Sequence, residues 1–135
     1  MTDSPRICVS WGEFFDRLGI LEIKQKRLAS SGARAAAAQQ IAQLKTSTAP
    51  MPSQEGLRAL VKDLRGANEK LWDLENQIRS CEAVADFGPR FVEVARSIYI
   101  TNDKRIALKG KIDELCSSEV AELREYARYG KGDAS

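Results

Sequence analysis

The sequence predicts an all-α fold, a long antiparallel helical hairpin (about 54–85 and 89–116) with N-terminal helices packed on it. Three observations carry this. Leu57, Leu60, Leu64, Ala67, Leu71, Leu74, Ile78, Cys81 and Ala85 step by alternating threes and fours, an apolar seam repeating every seven residues. Phe91, Val94, Ile98, Leu108, Ile112 and Leu115 continue that spacing beyond a short turn sequence, Asp86-Phe87-Gly88-Pro89. Ahead of both, Trp11, Phe14, Phe15, Leu18, Leu21 and Leu28 form one broad apolar face of a further helix. The 135 residues suffice for a single helical domain, 1–135, with a modest core.

In chain order, residues 1–9 read as extended. Arg6-Ile7-Cys8-Val9 suits a short strand, but no second strand is evident to pair with it. Ser10-Trp11-Gly12-Glu13 fits a capping box, in which the Ser10 hydroxyl accepts from the Glu13 N–H and the Glu13 side chain reaches back. The first helix then runs from about Trp11 to about Ser30, ended by Ser30-Ser31-Gly32, with Glu22 on its apolar face one turn from Leu18. A second, alanine-rich helix spans about Ala33 to Lys45; its propensity is high, its small side chains allow close approach, and Ile41 and Leu44 anchor it. Residues 46–53 are a linker, because two prolines and β-branched threonines oppose helix. Ser53 is placed to cap a third helix over about Gln54 to Ala85, roughly 45 Å long at 1.5 Å per residue. Pro89 suits the first turn of a fourth helix ending near Cys116. Ser117-Ser118 breaks or bends it, Val120, Leu123 and Tyr126 keep a helical spacing, and 131–135 reads as a disordered tail.

Composition narrows the chemistry. Lys plus Arg number 21 and Asp plus Glu 19, interleaved as on solvated helix faces. Nucleic-acid binding through Lys104, Arg105, Lys109 and Lys111 ranks last, since these bases lack aromatic interleaving and the net charge is +2. Histidine is absent, which removes Ser-His-Asp and Cys-His mechanisms, histidine metal sites and an imidazole switch. Cys8, Cys81 and Cys116 are far apart and odd in number, so no metal site is expected; Cys81 and Cys116 read as small buried thiols. No cofactor is implied. The opening M-T-D-S-P-R has no apolar signal-peptide core and no stretch is long enough to span a bilayer, so a soluble cytoplasmic protein is expected.

The candidate site is where the second seam breaks, at Thr101 to Arg105. Folding the hairpin back sets Glu75 against Tyr99, Trp72 against Asn102 and Glu69 against Arg105. The candidate binding residues are therefore Glu69, Trp72, Glu75, Arg79, Tyr99, Asn102, Asp103, Arg105 and Lys109, with Glu22 from the first helix. A buried arginine requires a carboxylate, since an unpaired buried charge costs several kcal/mol, and Glu69 or Glu75 is expected to supply it. Glu22 is expected to pair with Arg79 or Arg96. One reading is a polar layer that fixes helix register. The other is a site for a small anion or sugar, with Arg105 and Lys109 holding charge and Trp72 or Tyr99 stacking. Asp86-Phe87-Gly88 lacks the glycine-rich loop and catalytic loop of a kinase; it reads as a turn in which Asp86 bonds nearby backbone and Phe87 plugs the hairpin end.

S-W-G-E-F-F-D-R-L-G-I-L-E-I-K (10–24), L-W-D-L-E-N-Q-I-R (71–79) and D-F-G-P-R-F-V-E-V-A-R-S-I-Y-I-T-N-D-K-R-I-A-L-K (86–109) resemble a family of small bacterial helical proteins, a domain of unknown function. The resemblance covers over half the chain, and S-E-V-A-E-L-R-E-Y near the C-terminus extends it. It implies a helical protein, and an association with glycosyltransferase and surface-polysaccharide systems. Two departures are Gly19, where that pattern has Thr, and Gly110 inside the fourth helix, which weakens it by roughly 1 kcal/mol relative to Ala.

The expected function is a non-enzymatic helical interaction or accessory protein with a protein partner or a second copy of itself, because the apolar faces exceed what one hairpin covers. The alternative is a small enzyme or binding protein for an anionic or nucleotide-linked sugar, using Glu75, Tyr99, Asn102 and Arg105. The residues alone decide neither for nor against catalysis.

Overall fold

The computed structural model describes residues 2–46 and 49–117, which form four helices: α1 (Trp11–Arg27), α2 (Ser31–Thr46), α3 (Leu57–Ala83) and α4 (Pro89–Cys116). Among the described residues there is no strand, and Arg6-Ile7-Cys8-Val9 is exposed. The short connection at 84–88 folds α4 back along α3 as an antiparallel hairpin. α1 packs against both arms, and α2 packs on α1.

The core lies at the open end of the hairpin, where α3 begins and α4 ends. Phe14, Phe15 and Leu18 of α1 meet Leu57 and Leu64 of α3 and Ile112 of α4, with Ile41 and Leu44 of α2 at the margin. Side chains of this size contribute about 1.5–3 kcal/mol each when fully buried. Trp11 stands edge-on to Phe14 at 5.1 Å between centroids, and Phe14 edge-on to Phe15 at 5.3 Å. This aromatic wedge fixes the start of α1 against the hairpin.

The caps agree with the sequence in part. Ser10 Oγ accepts from the Glu13 N–H at 3.1 Å, but the Glu13 carboxylate turns away from the cap to Lys109. α1 stops at Arg27, earlier than expected, because Leu28 is extended. Ser30 belongs to the next helix: its Oγ accepts from the Ala33 N–H. Arg34 donates to the Leu28 and Ala29 carbonyls and pins the connection. α3 is capped by Gly56, not Ser53. Gly56 sits at φ +88°, a left-handed geometry that glycine adopts without strain.

α3 ends in a Schellman turn, with the Ala85 N–H bonded to Glu82 O and the Asp86 N–H to Cys81 O; Ala85 takes the positive φ usually given to glycine. Asp86 Oδ1 accepts from the Gly88 N–H, as the turn reading expects. Phe87, however, does not plug the hairpin end. It is 54% exposed and lies edge-on to Phe91. α4 begins at Pro89 and ends at Cys116, with Ser117 left-handed. Ser118, Val120, Leu123, Tyr126 and the tail lie outside the described residues. Cys81 is buried in the hairpin seam, whereas Cys116 is half-buried and Cys8 exposed. Among the described residues, no helix is long and apolar enough to cross a membrane.

Candidate functional site

One face of α1 presents Gly12, Asp16, Gly19 and Ile23 at helical spacing, and all four are buried. Gly12 and Asp16 face a stripe on α4, where Thr101, Lys109 and Asp113 are buried and Arg105 half-buried, whereas Gly19 faces Arg65 of α3. The helices touch most closely at Gly12. A Cβ there would overlap the carbonyl oxygen of Lys109 and come within 2.7 Å of Asp113 Oδ1. The Gly12 N–H donates to that same Asp113 oxygen at 2.7 Å. A carboxylate from α4 therefore completes the N-terminal cap of α1, where the helix dipole favours negative charge.

Asp16 is the centre of the site. Its Oδ1 accepts from Arg105 Nε at 2.8 Å and from Asn68 Nδ2 of α3 at 2.9 Å. Its Oδ2 accepts from Arg105 Nη2 at 2.5 Å and lies 3.8 Å from Lys109 Nζ. Arg105 Nη1 donates to Asn102 Oδ1 at 3.1 Å, and Lys109 Nζ donates to Glu13 Oε2 at 2.8 Å. Three helices thus converge on one carboxylate. Burial alone would push the Asp16 carboxyl up. The hydrogen bonds from Arg105 and Asn68, with the charges of Arg105 and Lys109, outweigh it and hold the carboxyl below its ordinary range. At the far end of the stripe, burial and the neighbouring Asp113 charge raise the Cys116 thiol.

This arrangement is better suited to clasping than to proton transfer. A general base works best with a pKa near the operating pH and a lone pair facing the substrate. Asp16 has a lowered pKa, and both its oxygens are engaged by other side chains. Among the described residues, no group of three or more Cys, Asp or Glu is placed to hold a metal ion.

Two shallow clefts flank α1. One, of about 330 Å³, opens between α1, α2 and α4; the Asp16–Arg105 pair lines it together with Arg17, Lys24 and Gln40. The other, of about 280 Å³, lies between α1 and α3 over Phe15, Leu18 and Val61, with Arg58, Lys62 and Arg65 alongside.

The structure redistributes the residues singled out from the sequence. Arg105, Lys109 and Asn102 come together in the cluster, but the carboxylate for Arg105 is Asp16, not Glu69 or Glu75. Glu69 is exposed and takes Arg65 Nε at 3.1 Å, one turn away on α3. Glu75 faces Arg79 at 3.8 Å along α3, and both are exposed. Glu22 pairs with Arg65 at 3.4 Å rather than with Arg79 or Arg96. Trp72 lies under the guanidinium of Arg27, 5.9 Å from its ring centre, and Arg27 also bonds Asp73 at 2.6 Å. Tyr99 is 47% exposed, and Asp103 is half-buried on α4. The physical reason is the same throughout. α1 contacts both α3 and α4 along this stretch, so α4 turns its polar stripe toward α1.

The sequence reading had no role for Asp113, and it missed the pairing of Asp16 with Arg105 and Asn68 and the second role of Glu13. The available signal was Gly12, one turn before Asp16 on the same helix face, which marks the place where α4 comes close. No family model, curated protein or solved structure matches the chain.

Proposed function

We propose that the protein is a cytoplasmic, non-enzymatic helical interaction module whose projecting hairpin end docks a second copy of the chain. The observation that carries this is where the exposed apolar side chains lie. α1 reaches Trp72 and Asp73 at its C-terminal end, and among the described helices α2 packs chiefly on α1. Leu74 to Ala83 of α3, with the facing part of α4, continue past that point for roughly 15 Å. Val84, Phe87 and Val92 are each more than half exposed on this end. Two helices alone bury one seam; a second hairpin would complete a four-helix layer. The exposed charges there are nearly matched, Glu75, Glu82, Asp86 and Glu93 against Arg79, Arg90 and Arg96, so two copies related by a two-fold axis need not repel strongly. The saturated clasp at the other end supports the non-enzymatic part of this reading.

Sedimentation equilibrium across about a hundredfold range of concentration tests it. Wild type should show a monomer–dimer equilibrium, and the double variant Phe87→Glu/Val92→Glu should be monomeric throughout, melting where dilute, monomeric wild type melts. A wild type that stays monomeric throughout, or a double variant that dimerises equally, overturns the proposal.

A further inference from the structure

The cleft between α1 and α3 has an apolar floor and a basic wall. Phe15, Leu18 and Val61 form the floor, and Arg58, Lys62 and Arg65 stand along the α3 side. Arg65 is engaged by Glu22, on the α1 side, and by Glu69. Arg58 and Lys62 are exposed and have no ion-pair partner among the described residues. Two other carboxylates lie outside the lining: Glu55, in the turn before α3, and Asp63, about 100° round the helix from Lys62. Gly19 leaves a notch between the two walls. Glycine is unfavourable inside a helix, and a Cβ here would make only ordinary contact, at 3.6 Å, with Arg65 Cδ. Nothing among the described residues therefore requires a glycine at this point.

The course of the chain beyond α4 bears on what covers the cleft. α4 ends at Cys116, which packs on the same core cluster as Phe15, Leu18 and Val61. Ser117 is left-handed, at φ 51° and ψ 46°, which turns the chain off the α4 axis. Residues 118–135 lie outside the described residues. Their sequence places Val120, Leu123 and Ala127 at helical spacing, with Glu122 and Glu125 on one flank and Arg124 and Arg128 on the other.

We propose that residues 120–129 of this same chain occupy the cleft as an amphipathic helix lying parallel to α3. Residues 117–119 suffice for the crossing, since three extended residues span about 10 Å, the separation of neighbouring helices. With Val120, Leu123 and Ala127 on the floor, a right-handed helix in this direction turns its acidic flank to Arg58 and Lys62 and its arginine flank to Glu22. The bare backbone at Gly19 then gives Leu123 its place.

The test is nuclear magnetic resonance of the full-length protein. Methyl contacts from Leu123 to Leu18 and Val61 are expected. They should be lost in Gly19→Leu, which fills the notch, and in Arg58→Glu/Lys62→Glu. Adding Glu122→Lys/Glu125→Lys to the second variant should restore them, a repair that general destabilisation would not allow. In a mixture of labelled and unlabelled protein, isotope-filtered spectra should show none of these contacts between molecules. Amide exchange over 120–129 should be at least about tenfold faster in Gly19→Leu, while that of Ile112 in the core stays as in wild type. Absence of the Leu123 contacts in wild type, their appearance between molecules, their survival in Gly19→Leu, or a charge exchange that fails to restore them would each overturn the proposal.

Discussion

Replacing Asp16 with alanine tests the clasp most directly. The carboxylate accepts two hydrogen bonds from Arg105 and one from Asn68, and stands 3.8 Å from Lys109 Nζ. The Arg105 side chain is 20% exposed and that of Lys109 3%, so neither cation regains full hydration when Asp16 is lost. Removing one partner of a buried pair costs about 3–5 kcal/mol. Lys109 keeps Glu13 at 2.8 Å, which places the expected loss near the lower end, about 3 kcal/mol at pH 7. Urea unfolding followed by circular dichroism reads this as a lower midpoint at unchanged slope. The loss should also depend on pH. The native Asp16 carboxyl titrates below its unfolded value, so its contribution is complete above about pH 4 and disappears as pH falls through the native pKa. The gap between wild type and Asp16→Ala should therefore be flat from pH 7 to about pH 5 and close in stronger acid. A gap below about 1 kcal/mol at pH 7, or one that persists undiminished in strong acid, would refute the assignment of Asp16 as the buried anion of the clasp.

Three further outcomes follow from the packing. Gly12→Ala should cost about 2–4 kcal/mol in chemical denaturation, because its Cβ meets the Lys109 backbone, which cannot rotate aside, and displaces the Asp113 hydrogen bond. Thr101→Val should be neutral or stabilising by up to about 1 kcal/mol in the same assay, since Thr101 Oγ1 is buried without a hydrogen-bond partner. Gly110→Ala should raise the melting temperature, gaining up to about 1 kcal/mol of helix propensity where the added methyl meets open space.

Much of the architecture was legible in the sequence, and the limits of that legibility are physical. The ends of α4 at Pro89 and Cys116 follow from a proline that fits a first turn and from the apolar spacing that precedes Ser117. The start of α3 was misread because a serine offers an obvious side-chain cap, whereas Gly56 works through backbone conformation. In the site, the requirement for a carboxylate against Arg105 was sound, but its source was wrong. A heptad pattern describes two helices facing one another and so looked for the partner on α3. α4 in fact has two neighbours, and the polar break in its seam faces α1. Asp16 gave little sign of this, because it sits between Phe15 and Arg17 in a segment that otherwise reads as apolar face and solvated edge.

The chemistry of the clasp bears on why charge, rather than leucine, fills this layer. Buried ion pairs seldom add net stability over a well-packed apolar layer, so stability alone does not account for Asp16, Arg105 and Lys109. Register does. Sliding α1 by one turn, about 5.4 Å, would exchange one apolar contact for another at modest cost along a leucine seam. Here the same slide would carry Asp16 away from Arg105 and Asn68, separate Glu13 from Lys109, and remove Gly12 from the one point where α4 backbone touches it. Each loss leaves a buried polar group unpaired, so the penalties accumulate in every register but one. The clasp therefore holds α1 at the base of the hairpin and leaves the far end, with Val84, Phe87 and Val92, uncovered by α1. If that is its role, replacing Asp16 and Arg105 together with leucine and methionine should restore much of the stability lost in Asp16→Ala. It should also loosen the register, seen as broadened amide signals in α1.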